Sequence, residues 1–167
     1  MILVDTGPLV GLFDAHDQHH ERCRRVLETF DEKLITTVPV LTEALHLLRP
    51  GSPGPPRLMG YIRQGGLTVV PLDAELLRRC FELMLQYADT PMDFADASIV
   101  CAAEHTRTEK VFTTDRNDFA TYRIRRGYHL VPFKIVGDPS GPQLVREGAE
   151  ETDLVGAAAP LSEEPAG

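Results

Sequence analysis

The sequence predicts an α/β fold built on a mostly parallel sheet. Short apolar runs typical of buried strands alternate with segments of helical periodicity along residues 1–136. The chain has 167 residues, of which 43% are hydrophobic and 25% charged, and this composition fits one globular domain with a single core. No apolar run approaches the ~20 residues that span a bilayer, so we expect no membrane association.

Five segments are predicted as strands. The first is wholly apolar, as expected for a strand that is covered on both faces. The last contains Pro132, which predicts an edge position because proline cannot donate to a strand ladder. The predicted strands are residues 2–4, 34–37, 67–70, 111–114 and 130–136.

Five further segments have the apolar spacing of helices. They are residues 19–30, 40–48, 55–63, 73–87 and 91–103. The last begins with a Thr-Pro pair, which predicts Thr90 as the N-cap and Pro91 at the first helical position. Asp93 follows Thr90 by three residues, the spacing of a capping box.

The predicted globular domain, residues 1–136, is followed by an acidic tail. Residues 137–167 are rich in Gly, Pro, Ala and Glu without apolar periodicity, which predicts disorder. The tail carries −6 of the net charge of −8, so the domain itself carries −2. The acidity of the whole chain therefore does not exclude a nucleic-acid substrate for the domain.

Cysteine and histidine spacing gives no zinc site. Cys23, Cys80 and Cys101 lack CxxC spacing and are interpreted as reduced thiols of a cytoplasmic protein, with no leader for secretion in the N-terminal residues. His16 and His20 are four residues apart, but no acid or cysteine completes a metal site in helical register. A solvated helix start is the favoured interpretation of this histidine cluster.

Four acidic residues occupy informative positions. Asp5 and Asp115 each follow a predicted strand, and ligand crevices of parallel α/β sheets lie outside the carboxyl ends of strands. Glu43 and Asp96 lie among apolar residues of predicted helices, where a carboxylate is costly unless it is paired or bound to a metal. We therefore predict that the four acids share one cleft.

Such a cleft needs a cation, because like charges at short range raise each other's pKa. Oxygen ligands without His or Cys suit Mg²⁺ or Mn²⁺. Thr6, Thr113 and Thr114 flank the aspartates at the strand ends and are able to orient a carboxylate. The predicted chemistry is metal-assisted attack of water on a phosphodiester.

Each acid also has a purely structural interpretation. Asp5 and Asp115 stand where helix N-caps stand, and Asp118 is able to fill a turn. The capping-box interpretation is favoured for Asp93, which places it at most in support of the ligands. Only the set of four acids points to a catalytic site.

Four motifs, taken in order, resemble the PIN-domain ribonucleases, and most closely the VapC-type toxins of bacterial toxin–antitoxin pairs. The motifs are Met-Ile-Leu-Val-Asp5-Thr6-Gly-Pro-Leu, Thr42-Glu43-Ala-Leu, Phe-Ala-Asp96-Ala-Ser-Ile-Val and Phe-Thr-Thr-Asp115-Arg-Asn-Asp-Phe. The resemblance covers about residues 1–135 and leaves the acidic tail outside it.

The resemblance implies a Rossmann-like three-layer sandwich around a parallel sheet of about five strands. It also implies RNA cleavage that depends on Mg²⁺ or Mn²⁺, a homodimer, and an antitoxin that plugs the cleft. The positions that match the family's catalytic and metal-binding acids are Asp5, Glu43, Asp96 and Asp115. The positions that match supporting groups are Thr6, Thr113 or Thr114, and, for one subgroup, Asp93.

An RNA backbone requires cationic residues near the cleft. The candidates are Arg116, Arg123, Arg125, Arg126 and Lys134, and a plain solvated surface is the equal alternative for them. Two other functions stay open: a PIN-fold RNA-processing nuclease without an antitoxin, and a catalytically idle PIN-like domain that only binds. A phosphoacceptor domain fits less well, because no second acid lies beside Asp5 in the sequence.

Overall fold

The computed structural model describes residues 1–90 and 92–137. Its strands are β1 (Ile2–Val4), β2 (Leu34–Thr37), β3 (Thr68–Val70), β4 (Lys110–Phe112), β5 (Arg123–Arg126), β6 (His129–Pro132) and β7 (Lys134–Ile135). Five of them form a parallel sheet in the order β3-β2-β1-β4-β7, and β5 and β6 pair antiparallel beside it. The predicted α/β class and the five-stranded parallel sheet are confirmed.

Seven helices connect these strands within the described residues. They are α1 (Thr6–Phe13), α2 (His20–Leu27), α3 (Val38–Leu47), α4 (Gly54–Arg63), α5 (Ala74–Gln86), α6 (Phe94–Thr106) and α7 (Arg116–Thr121). Every residue of β1 and β2 is buried, so both faces of the central strands are covered. This is the three-layer arrangement that the sequence predicts.

Helix α6 lies at the centre of the packing. Eight of its 13 residues are buried, and most of these are small: Ala95, Ala97, Ser98, Ile99, Val100, Cys101, Ala102 and Ala103. Small side chains let the helix approach β1 and β2 closely while α3 and α5 pack against it. The Ser98 hydroxyl also lies 2.5 Å from that of Thr37, which ties the end of β2 to α6.

The predicted start of this helix is wrong. The helix begins at Phe94, and its N-cap is Asp93, whose Oδ1 accepts the N–H of Asp96 at 2.8 Å. Thr90 therefore does not cap it, no capping box with Thr90 forms, and Pro91 lies outside the described residues. The reason is that a carboxylate directly before the apolar run competes successfully for the orphan N–H groups of the first turn.

The predicted strand 130–136 is two strands. Pro132 ends β6, which pairs with β5, and the chain then joins the main sheet as β7 beside β4. The edge position predicted for this segment is confirmed for β7. Helices α1 and α7 and strand β5, which the sequence pattern did not predict, contain only eight, six and four residues, too few for a clear period.

Several smaller expectations concern the chain outside the site. Cys23, Cys80 and Cys101 are free thiols, as predicted, and all three are buried. Helix α2 ends at Leu27 rather than residue 30, because the chain turns at Thr29. No helix in residues 1–90 and 92–137 is long and apolar enough to cross a membrane. Apart from Gly137, the predicted acidic tail lies outside the described residues.

The strand order reverses at β1, because β2 and β3 continue to one side of it and β4 and β7 to the other. A crevice forms at such a reversal, outside the carboxyl ends of the strands. The segments that leave β1 and β4 at this edge begin with Asp5 and Thr113, respectively.

Candidate active site

Asp5 is the most buried acid of the site, with only 6% of its surface exposed. It occupies the N-cap position of α1 but makes no capping hydrogen bond with its side chain. Its Oδ2 instead accepts the hydroxyl of Thr113 at 2.8 Å. Burial raises the pKa of Asp5 to about 6, and Glu43 and Asp93 add to the rise. The Asp5 side chain is therefore held at the crevice by Thr113 and does not cap α1.

Thr113 joins the two strand ends. Besides donating to Asp5, its Oγ1 accepts the N–H of Asp115 at 2.9 Å. Asp115 is exposed and is the N-cap of α7, with its Oδ1 accepting the N–H of Asp118 at 3.1 Å. Asp115 therefore caps α7 through Oδ1, as its structural interpretation predicts. Its other carboxylate oxygen, Oδ2, is not used by this cap.

Glu43 reaches the same crevice from α3. The hydroxyl of Thr6 donates to Glu43 Oε2 at 2.6 Å, and Thr6 directly follows Asp5. Glu43 is half-buried and close enough to contribute to the raised pKa of Asp5. Thr6 thus has the orienting contact that the sequence predicts for it.

Asp96 lies in the first turn of α6 and is half-buried. Its Oδ2 accepts the hydroxyl of Tyr122 at 3.0 Å. The pKa of Asp96 is raised to about 8. Burial is the largest cause, and the charges of Asp5, Asp93 and Asp118 add more to the pKa than the hydrogen bond from Tyr122 removes. The carboxylate of Asp96 is therefore destabilised in the folded protein unless it binds a cation or a proton.

Asp93 lies near enough to the other acids for its charge to act on them. It raises the pKa of Asp5 and of Asp96, and also that of Asp118. Its own carboxylate is exposed and holds the N–H of Asp96 through the N-cap. Asp93 therefore both positions Asp96 and adds negative charge to the crevice.

Sequence reasoning did not assign two residues that the structure brings to the site, Asp118 and Tyr122. Burial and the charges of Asp115 and Asp93 raise the pKa of Asp118. Tyr122 is fully buried and follows α7 directly. Asp118 comes three residues after Asp115, so helical spacing was a usable signal for it. Nothing in the local sequence pairs Tyr122 with Asp96.

Thr114 does not have the contact predicted for it. Its side chain packs on Gly7 at the start of α1, where a Cβ atom would lie 1.9 Å from Thr114 Oγ1. Gly7 is thus required by the close approach of α1 to the β4 edge. Of the two threonines offered as supporting hydroxyls, Thr113 is the one that bonds Asp5.

The predicted RNA-binding residues do not gather around the acids. Arg126 donates to the carbonyl of Thr108 and Lys134 pairs with Glu109, both at the amino end of β4, away from the crevice. Arg125 pairs with Glu104 in the last turn of α6. The remaining two lie at α7: Arg116 is exposed directly after Asp115, and Arg123 donates to carbonyls at the helix C-terminus.

Comparison with known proteins identifies the family. Residues 2–124, most of the chain, match the PIN domain. This chain belongs to the PIN domain family. The match spans Asp5, Glu43, Asp96 and Asp115 and ends within β5.

Individual relatives of this PIN domain are distant. Ribonuclease VapC26 of Mycobacterium tuberculosis (strain ATCC 25618 / H37Rv) is 23% identical over 124 residues, which cover 73% of this chain and 92% of the relative. The structure of Mycobacterium tuberculosis VapC20, a Sarcin-Ricin loop cleaving toxin, superposes with a TM-score of 0.64 at 22% identity, over 70% of this chain and 92% of that one. A toxin–antitoxin complex from Klebsiella pneumoniae gives 0.53 at 18% identity, over 72% and 92%. These structures share the PIN fold.

The donor set of this PIN domain fits a hard divalent cation. The acids offer only carboxylate oxygens, and His20, one of the two histidines considered for a metal, contacts the carbonyl of Gly11 instead. Within the described ranges, no three acidic, histidine or cysteine side chains converge into a ready-made metal cage. Mg²⁺ does not need one, because it keeps several waters and binds through one or two carboxylates together with substrate phosphate oxygens.

Proposed function

We propose that this PIN domain is a metal-dependent endoribonuclease that hydrolyses RNA phosphodiester bonds. One observation carries the proposal: Asp5 and Asp96 lie together at the carboxyl edge of the sheet. Burial raises the pKa of both, Glu43 and Asp93 add to the rise for Asp5, and Asp5 and Asp93 add to it for Asp96. Such an arrangement of acids destabilises the folded state, and a bound cation removes this destabilisation. The ribonuclease name of the VapC26 relative agrees with this activity.

The residues that would hold Mg²⁺ or Mn²⁺ are Asp5, Glu43, Asp96 and Asp115. Bound there, a divalent cation supplies activation of water and neutralises charge on the leaving oxygen. Thr6 and Thr113 fix the orientation of Glu43 and Asp5 through their hydroxyls. A polyanionic RNA approaches this crevice only when the carboxylate charge is compensated.

Arg116 is the best placed of the predicted RNA-binding residues. It is exposed and directly follows Asp115, so it lies at the crevice edge of the sheet. The contacts of Arg125, Arg126 and Lys134 place them at the other end of α6 and β4, where they would meet only a longer RNA. Replacing Arg116 should therefore weaken RNA binding more than replacing Lys134.

The wider role that we propose is that of the toxin of a type II toxin–antitoxin pair acting in the cytoplasm, with a cognate antitoxin as partner. Support comes from the names of the relatives, which include a VapC toxin and a toxin–antitoxin complex. A gene for a small protein directly upstream, whose product binds this chain and suppresses cleavage, is expected. A chain that cleaves RNA but has no such neighbour would instead be an RNA-processing PIN nuclease.

The proposal includes a homodimer, and α5 offers a surface for it. Leu77, Phe81 and Leu85 follow one another at intervals of four residues, and Leu85 is 79% exposed. Such a stripe on one face of a helix is typical of an interface. Sedimentation of the protein should give twice the chain mass, and Leu85→Glu should yield a folded monomer.

The decisive experiment is cleavage of a fluorescently labelled RNA by the purified protein. Cleavage should require Mg²⁺ or Mn²⁺, stop with EDTA and return when metal is added in excess. The Asp5→Asn variant should remain folded and inactive. Cleavage that persists in EDTA, or that survives Asp5→Asn, would contradict the proposal.

A further inference from the structure

A cavity of about 530 Å³ opens beside the acids, between the start of α3 and the start of α6. We call it the α3–α6 pocket. It is lined by the apolar residues Val38, Pro39 and Phe94, by the carboxylates of Glu43 and Asp93, and by His46. Because Glu43 and Asp93 belong to both, the pocket is continuous with the acidic crevice.

Two of its apolar residues keep exposed surface. Val38, the first residue of α3, is 51% exposed. Phe94, the first residue of α6, is only half-buried, and its ring packs against exposed Phe81 at 6.1 Å between centroids. An apolar surface left open next to a polar catalytic centre is typical of a ligand site, and its volume lies in the range of ~300–1,000 Å³ for such sites.

Charge limits what can enter the pocket. The carboxylates of Glu43 and Asp93 repel phosphate from the pocket, whereas the cation proposed for the crevice acids would compensate the charge of an RNA backbone at the crevice. The uncharged part of a nucleotide is its base, which has two apolar faces and a polar edge. Phe94 offers an aromatic surface for stacking, and Thr42 and His46 are exposed polar groups at the same pocket.

We infer that the α3–α6 pocket receives one unpaired base of the RNA, from a nucleotide next to the cleaved phosphodiester. Phe94 stacks on the base, and Val38 and Pro39 form the opposing apolar surface. A paired base would first have to unpair and unstack, which costs a few kcal/mol, so the pocket favours a nucleotide that is already unpaired. This inference rests on the proposed ribonuclease function.

The test combines RNAs that lack single bases with a variant whose pocket is filled. A set of short single-stranded RNAs carries one abasic site at each position around the cleaved bond. Wild-type protein should lose cleavage about 5- to 150-fold, the range of stacking one base on an aromatic ring, at one position and little at the others. This measurement needs no mutation and therefore does not depend on a variant that folds.

Val38→Trp fills the pocket, and Leu47→Trp is its matched control. Leu47 is 52% exposed at the other end of the same helix and does not line the pocket. Val38→Trp should cleave intact RNA as slowly as wild-type protein cleaves the abasic RNA, with no further loss on that abasic RNA. Leu47→Trp should behave like wild type on both, and thermal unfolding should find all three proteins folded.

The outcomes separate this inference from the proposed function. Metal-dependent cleavage that is equal for all abasic RNAs, or Val38→Trp activity equal to wild type, overturns the base pocket and leaves the ribonuclease in place. A Val38→Trp protein that cleaves normally but no longer binds an antitoxin assigns the pocket to a protein partner and also overturns the inference. The absence of any metal-dependent cleavage refutes the proposed function itself.

Discussion

Replacing Asp96 by asparagine should stabilise the metal-free protein while abolishing cleavage. The pKa of Asp96 is raised from 3.8 to about 8, so its ionised form is disfavoured in the folded state. Asparagine removes the charge, keeps the shape and still accepts the hydroxyl of Tyr122. The variant thus isolates the electrostatic cost of the site from its packing.

The magnitude follows from proton linkage. Each pH unit above the unfolded pKa costs about 1.4 kcal/mol until the folded pKa is reached, which gives ~4 kcal/mol at pH 7. Asp96 is partly exposed, and solvent screening reduces this figure, so we expect about 2 kcal/mol. For a domain of this size, that corresponds to a rise in melting temperature of roughly 6–10 °C.

The sign of the pH dependence provides the sharpest check. Because the folded pKa is raised, ionisation of Asp96 destabilises wild type increasingly from about pH 4 to about pH 8. Thermal unfolding in EDTA should therefore show the advantage of Asp96→Asn growing over this range. Mg²⁺ should stabilise wild type more than the variant, and the exposed Asp89 offers Asp89→Asn as an isosteric control. A variant that is less stable than wild type at pH 8, or whose advantage does not change with pH, would refute the reasoning.

Three further predictions concern the surroundings of Asp96 and the end of the chain. Tyr122→Phe removes the hydroxyl bonded to Asp96, so Mg²⁺ affinity measured by calorimetry should fall about 10-fold, with a loss of about 1 kcal/mol in unfolding free energy. Asp93→Ala removes the N-cap of α6, which should cost about 1 kcal/mol and reduce cleavage only partly. Truncation after Val136 removes a charge of −6, so RNA cleavage should be faster at low salt, and the difference should shrink as salt is added.

Each of these has an outcome that would contradict it. Unchanged Mg²⁺ affinity in Tyr122→Phe would mean that the hydroxyl does not position Asp96. A complete loss of cleavage in Asp93→Ala with an unchanged melting temperature would make Asp93 a metal ligand. Equal rates at low ionic strength for the full and truncated chains would make the tail inert, and a truncated chain that unfolds would contradict the domain boundary.

The elements that could be predicted from the sequence are those that their own residues determine. The apolar run of β1 and the amphipathic spacing of α5 needed no distant partner, and both lie where they were expected. The rule that ligands gather at the carboxyl ends of parallel strands placed Asp5 and Asp115 at one edge. The fold class was therefore accessible from pattern alone, and the roles of the candidate acids stay a prediction.

What could not be predicted depends on contacts between segments far apart in the chain. Tyr122 directly follows α7, and its hydroxyl bonds Asp96, 26 residues earlier in the chain. Arg125 and Lys134 are close to Asp115 in sequence, but strand direction carries them to the other end of the sheet, where Glu104 and Glu109 hold them. Proximity in sequence was the wrong guide for these cations, because each strand moves the chain by ~3.3 Å per residue.

The small buried side chains of α6 have a consequence for the genetics of this protein. The same helix fills the centre of the core and carries Asp93 and Asp96 at its start, so its position sets that of the acids. A larger side chain at Ala97 or Ala102 would displace the helix from the sheet, and the protein would still fold. Among mutants selected for loss of the proposed nuclease activity, we therefore expect substitutions along this helix beside those of the acids. Substitutions of the small buried residues of α6 would then have the same effect in the selection as substitutions of the candidate acids.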